Sequence, residues 1–270
     1  MKEIKEFSVK YGKDIINFQS TGGNISVKNG NYLYIKSSGY SISDIHTKDS
    51  ISIIDIDGCS KELFNNNILS DDDLNNIIEK NNRSDKKSSI ETGFHLIIKS
   101  KYVIHTHNIY INVLLCSENG EKILGKLFGD SFDIIGFFSP GLGLYKEFNN
   151  KSNYKKIIFL KNHGVVIHSD VSFDDTYIIL NEIEKTIFDY LKLEKFDFKT
   201  KVKTISKYLF PDIIALGDDL EVKYAHNYIE NSIKINSLVP SYIDEFYINY
   251  IKNMKQEKYR KSLINNNKIG

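Results

Sequence analysis

Apolar side chains recur every three or four positions at the start of the chain. Ile4, Phe7, Tyr11, Ile15 and Phe18 would share one face of a helix, so the spacing predicts an amphipathic helix broken by STGGN at residues 20–24. Short runs rich in β-branched and aromatic residues follow at 25–27 (ISV), 32–36 (YLYIK) and 51–56 (ISIIDI). The turn-forming NGN and SSG separate them, which predicts a small sheet with tight loops. The polar stretch SDDDLNNIIEK places three acids at a helix start, where they oppose the helix dipole, before a solvated loop. Phe94, Ile97 and Ile98 fall on one side of a helix predicted over 88–100, which runs directly into a strand beginning near Tyr102. Residues 132–138 and 155–168 are rich in β-formers, the second run interrupted by NHG as two strands meeting at a tight turn. Tyr177, Leu180, Ile183, Ile187 and Leu191 predict a long helix from Ser172 to about Phe196, and the remainder reads as further helices broken at FPD and VPS. No internal repeat and no linker rich in Gly, Pro or Ser divides the chain. The pattern is therefore an α/β domain over 1–200 with a helical extension over 201–270 packed on the same domain.

Composition narrows the function classes. The 270 residues carry 36 Lys+Arg against 35 Asp+Glu, a formal charge of +1, so no global field draws the chain to nucleic acid or an acidic membrane. Cys59 and Cys116, the only cysteines, form no CxxC pattern, which removes both a disulfide framework and a thiolate zinc site and fits a reducing compartment. The first residues are charged throughout and no later run reaches the roughly 18 apolar residues a membrane span needs, so the expectation is a cytoplasmic protein without membrane attachment.

The stretch YVIHTHNIY (102–110) puts two imidazoles two positions apart in a strand, so His105 and His107 point to one face. A shared metal explains that placement, yet a catalytic zinc usually takes three protein ligands and leaves one position open. His163 of NHG, at a strand end beside a glycine, is the better third candidate and His168 its competitor, while two hydrogen-bonded histidines on a half-buried strand remain the plainer alternative. Glu91, on the helix that feeds the HTH strand, is placed to act as an acid/base. Ser88 three residues before it also suggests a capping box, which would need no catalytic role, and the two roles are compatible if Ser89 rather than Ser88 is the cap. STGGN and SSG offer backbone N–H groups and hydroxyls for an oxyanion, and neither matches GxxxxGK[ST] or GxGxxG.

Taken in order, STGGNISV, YIKSSG, SSIETGFH, VIHTH and FLKNHGVV, with SPGLGLYKEF between the last two, resemble the class II aldolase/adducin family. YLFPDIIALGDD and the terminal QEKYRKSL look like the aldolase portion of the longer rhamnulose-1-phosphate aldolases. The resemblance implies a three-layer α/β/α sandwich around a central, mainly antiparallel sheet. It also implies that His105, His107 and His163 bind a divalent metal, normally Zn2+, and that Glu91 is the acid/base. Gly23, Asn24, Ser38, Gly39 and Ser89 would fall where family members hold the phosphate of a sugar phosphate. Two departures stand out: Lys36-Ser37-Ser38-Gly39 lacks the proline of the usual TPTG or TPSG loop, and Ile90 replaces the second of two serines before the glutamate.

The implied activity is zinc-dependent retro-aldol cleavage of a ketose or ketose phosphate in a homotetramer, with a tyrosine from a neighbouring subunit assisting. Epimerases, dehydratases and decarboxylases share the scaffold, and Glu91 favours an aldolase over the epimerases, which carry aspartate there. A non-catalytic adducin-like interaction module is the alternative of another class, against which the intact set of three histidines and a glutamate argues.

Overall fold

The computed structural model describes residues 1–198 and 204–267. It opens with α1 (Lys2–Tyr11), shorter than the spacing of Ile15 and Phe18 predicts. Gly12 caps α1, and Asp14 then turns the chain by accepting hydrogen bonds from the Ile16 N–H (3.0 Å) and the Asn17 amide (2.8 Å). Phe18 still packs edge-on against Phe7, their ring centroids 6.3 Å apart, so the apolar spacing reported burial correctly and overran the helix.

Among the described residues seven strands form one sheet: β1 (Asn24–Asn29), β2 (Tyr32–Lys36), β3 (Ile51–Asp55), β4 (Tyr102–Thr106), β5 (Phe132–Ile135), β6 (Ile157–Leu160) and β7 (Gly164–Ser169), in the order β3-β2-β1-β4-β7-β6-β5. Every neighbouring pair is antiparallel except β5 with β6. The sheet is therefore mixed, and mainly antiparallel as expected. β4 shows why the sheet sits between two layers. Tyr102 and Ile104 point into one apolar cluster, while Val103 points into another on the opposite face.

Helices cover both faces. α2 (Ile56–Asn65), α3 (Asp71–Lys80), α4 (Thr92–Ile97), α5 (Ile109–Leu115), α6 (Gly120–Phe128), α7 (Leu142–Asn149) and α8 (Phe173–Leu191) complete the first part of the chain. α1, α5, α6 and α8 share the cluster of Ile104, and α3, α4 and α7 pack on the other face. Ser70 and Ser172 cap α3 and α8 by accepting from the backbone N–H of Asp73 and Asp175.

α4 spans six residues where periodicity predicts a helix over 88–100, and no capping box opens it. Ser88 instead donates to Glu79 from both its N–H (2.9 Å) and its hydroxyl (2.6 Å), and the Glu91 side chain makes no cap bond. At the other end of α4, the half-buried Lys28 donates to the carbonyls of His95 (2.8 Å) and Ile98, satisfying acceptors that a helix end leaves free.

α9 (Pro211–Ala215), α10 (Leu220–Ile235), α11 (Glu245–Asn253) and α12 (Lys255–Asn267) follow. Leu209, Phe210, Ile213, Ile229 and Ile251 join the same core cluster as Ile109, Ile111 and Val113 of α5. The expected boundary between residues 200 and 201 lies outside the described residues. No helix among the described residues is long and apolar enough to cross a membrane.

Candidate metal centre

His105 sits at the end of β4, with Asn24 of β1 directly opposite it in the ladder. His107 is the second residue beyond it, just past the strand, where Asn108 caps α5 by accepting from the Ile111 N–H (2.9 Å). His163 stands in the turn between β6 and β7. Its neighbour Asn162 adopts φ 54°, a left-handed conformation that asparagine tolerates, and donates to the carbonyls of Leu209 (2.9 Å) and Ser241 (2.6 Å). Gly164 lets this turn close on the site. A Cβ there would lie 2.2 Å from the Thr106 carbonyl and 3.2 Å from both the His105 and His107 rings.

These elements bring Glu91, His105, His107 and His163 together, with one donor atom from each lying within 4.8 Å of all the others and every residue buried. His168 is excluded from the cluster: its ring pairs with the Ser100 hydroxyl (2.8 Å) and the Lys155 carbonyl (3.0 Å). Hydrogen bonding assigns the protons. His105 Nδ1 donates to the Val165 carbonyl (3.1 Å) and His107 Nδ1 to the Asp212 carboxylate (2.8 Å), so in the neutral rings both Nε2 atoms carry lone pairs. Those lone pairs face each other at 3.0 Å. Two acceptors at that distance repel unless a cation lies between them, and two nitrogens of one tetrahedral zinc stand about 3.3 Å apart, from Zn–N distances of about 2.05 Å. The donor set fits a divalent metal.

Glu91 Oε1 lies 3.3 Å from His105 Nε2 and 3.1 Å from His163 Nε2. Burial raises the Glu91 carboxyl, but positive charge at the Nε2 positions of His105 and His163, a proton in place of the metal, outweighs it and holds the group well below the usual carboxylate range. Burial pushes His163 down to about 4, which keeps it neutral, the form in which imidazole binds metals. Asn24 fixes the carboxylate from the side, its amide donating to Glu91 Oε2 (3.0 Å) and to the Ser89 hydroxyl (2.6 Å).

Gly23, Asn24, Ser38, Gly39 and Ser89 all line the cleft that contains Glu91, His107 and His163. The Ser38 N–H is already committed to the Lys87 carbonyl (2.9 Å). The rest of the cleft wall includes Thr21 of STGGN and residues to which local patterns assigned no site role: Asp212 of α9, and Gln256, Glu257 and Arg260 of α12. Asp212 accepts from His107 on one oxygen and from Arg260 Nη1 on the other, each at 2.8 Å. Arg260 and His107 hold that carboxylate below its ordinary range against burial. The signal available in the sequence was proline before aspartate in FPD, which starts α9 and places Asp212 in its first turn, where it meets His107.

Residues 17–190 match the model of the class II aldolase and adducin N-terminal domain. Over 175 residues the chain is 30% identical to an L-fuculose phosphate aldolase of Methanocaldococcus jannaschii, covering 61% of this chain and 81% of that protein. Over 109 residues it is 29% identical to the uncharacterized oxidoreductase YuxG of Bacillus subtilis, a match spanning 38% of this chain and only 16% of that protein. The N-terminal class II aldolase domain of a conserved protein from Thermoplasma acidophilum has the same fold, with TM-score 0.61 and 22% identity over 70% of this chain and 92% of that one. The chain belongs to the class II aldolase and adducin family.

Proposed function

We propose that this protein is a metal-dependent aldolase that cleaves a carbon–carbon bond of a ketose or ketose phosphate, with His105, His107 and His163 as metal ligands and Glu91 as the acid/base. The observation that carries the reading is the buried cluster itself, three imidazoles and a carboxylate converging where two Nε2 lone pairs face each other. The relative named L-fuculose phosphate aldolase supports the substrate class.

His105, His107 and His163 would hold a divalent ion, zinc by the all-nitrogen donor set, which would supply a Lewis acid for a ketose carbonyl. The chain does the rest. Asp212 fixes the tautomer and ring orientation of His107, and the Val165 carbonyl does the same for His105. Glu91, ionised and gripped by Asn24, removes the carbon-bound proton in the synthetic direction; in cleavage it first gains the proton lost by the hydroxyl that becomes the aldehyde, relayed by the neighbouring subunit's tyrosine, and then passes it to carbon. Gly23, Asn24, Ser38, Gly39 and Ser89 form the wall we assign to the substrate's phosphate. We read residues 201–270 as part of the same unit and the protein as a cytoplasmic homotetramer. Leu69 and Phe246, each 70% exposed along one groove, support self-association, and a monomer by light scattering would count against it.

The test is aldehyde release from a panel of ketose phosphates and ketoses by the zinc-loaded protein, beside Glu91→Gln. Cleavage by the wild type with a rate at least about a hundredfold lower in a zinc-replete Glu91→Gln is expected. Substrate rearranged without aldehyde would instead make the protein an epimerase, and full activity in Glu91→Gln would remove its assigned role.

A further inference from the structure

The proposed chemistry leaves one buried cation of the cleft without a task. Arg260 projects from α12, its Nε donating to the Thr21 hydroxyl (2.8 Å) and its Nη1 to Asp212 (2.8 Å) and, more loosely, to Glu257 (3.4 Å). Nη2 is buried and has no hydrogen-bond partner among the described residues. A guanidinium nitrogen stripped of water and left without an acceptor is unfavourable, and because Arg260 lines the same cleft as Glu91, His107 and His163, an oxygen brought by the substrate would satisfy it.

The other cation of the cleft is engaged differently. Lys36 Nζ already donates to the carbonyls of Thr21 (3.1 Å) and Tyr40 (2.9 Å), and burial brings it down to about 7, so its charge is conditional near neutral pH. Arg260 stays charged, because Asp212 and Glu257 more than offset its burial. α12 also lies against the loop assigned to the anionic end of the substrate: Leu263, one turn beyond Arg260, is so close to Gly39 that a Cβ there would be 2.4 Å from its Cδ1. With the Ser38 N–H occupied, that loop has one donor fewer to offer.

We propose that Arg260 is a substrate-binding residue, taking an anionic oxygen of the substrate, from a phosphate or a carboxylate, on Nη2. The inference rests on the cleft being the substrate site of the proposed aldolase. Calorimetric titration of the zinc-loaded full chain with dihydroxyacetone phosphate, hydroxypyruvate and dihydroxyacetone tests it, since these hydroxyketones carry a phosphate, a carboxylate and no charge. At least one anion should bind the wild type about tenfold or more tighter than dihydroxyacetone, and which one does identifies the group. In Arg260→Gln that gap should shrink to about threefold or less, with zinc content and dihydroxyacetone affinity unchanged. Should Arg260→Gln lose zinc through Asp212, Arg260→Lys, which keeps a charge for Asp212 but has no second terminal nitrogen, should show the same shrinkage. Equal binding of all three probes by the wild type, or a full gap in the zinc-bound variants, would overturn the proposal. Anion preference without aldehyde release from any ketose would count against the aldolase reading and leave this one standing.

Discussion

His107 is held by Asp212 at Nδ1, while its Nε2 faces that of His105 at the position we propose for the metal. Replacing that carboxylate by an amide keeps the shape and removes the charge that fixes the imidazole. Asp212→Asn should therefore weaken zinc binding about 10- to 100-fold, read by competition with a chromophoric chelator, and an unchanged affinity would mean that Asp212 only supports packing. Side chains differ in how far the sequence discloses them. His105 and His107 are legible because a spacing of two in an apolar run has a direct meaning in a strand, and His163 because NHG sits between β-forming runs. Asp212 and Arg260 are not, since their partners lie 105 and 48 residues away and neither belongs to a local repeat. Ser88 misled for the opposite reason, offering a local capping pattern that Glu79 overrides.

At the level of elements, the strands were legible and the helix ends were not. Alternation and turn residues locate β1, β2 and β3 to within a few residues, whereas α1 stops at Gly12 while its apolar face continues and α4 is cut to six residues. α2 leaves no clear pattern, because it begins at once after β3 with Asp55 as its cap. The contact between α12 and the SSG loop shows what element packing demands. Gly39 has φ 81° and faces Leu263 directly, so Gly39→Ala adds both backbone strain and a clash. We expect it to cost about 1–3 kcal/mol in urea unfolding. Leu263→Ala in the same chain should recover the part due to the clash and not the part due to φ. A double variant no more stable than Gly39→Ala would show that α12 does not press on this loop.

For the molecule as a whole, the extension beyond the family match completes the centre: α9 orients His107, the Leu209 and Ser241 carbonyls hold the NHG turn, and α12 closes the cleft. Its own stability should depend on pH through His226 of α10, which burial lowers to about 4 against an ordinary value of 6.5. Above 6.5 the ring is neutral in both states. As pH falls the unfolded chain takes the proton first, so stability declines between 6.5 and about 4. Between pH 7 and pH 5 the wild type should lose on the order of 1–2 kcal/mol more than His226→Gln in urea unfolding, and equal losses would contradict the assignment. The most direct test of the central claim is the metal content of the purified protein by elemental mass spectrometry, with His107→Ala alongside and its folding checked by circular dichroism. About one zinc per chain in the wild type and none in the folded variant is the predicted result. A wild type that retains no metal after zinc is offered would contradict a metal-dependent aldolase and return the weight to a non-catalytic module.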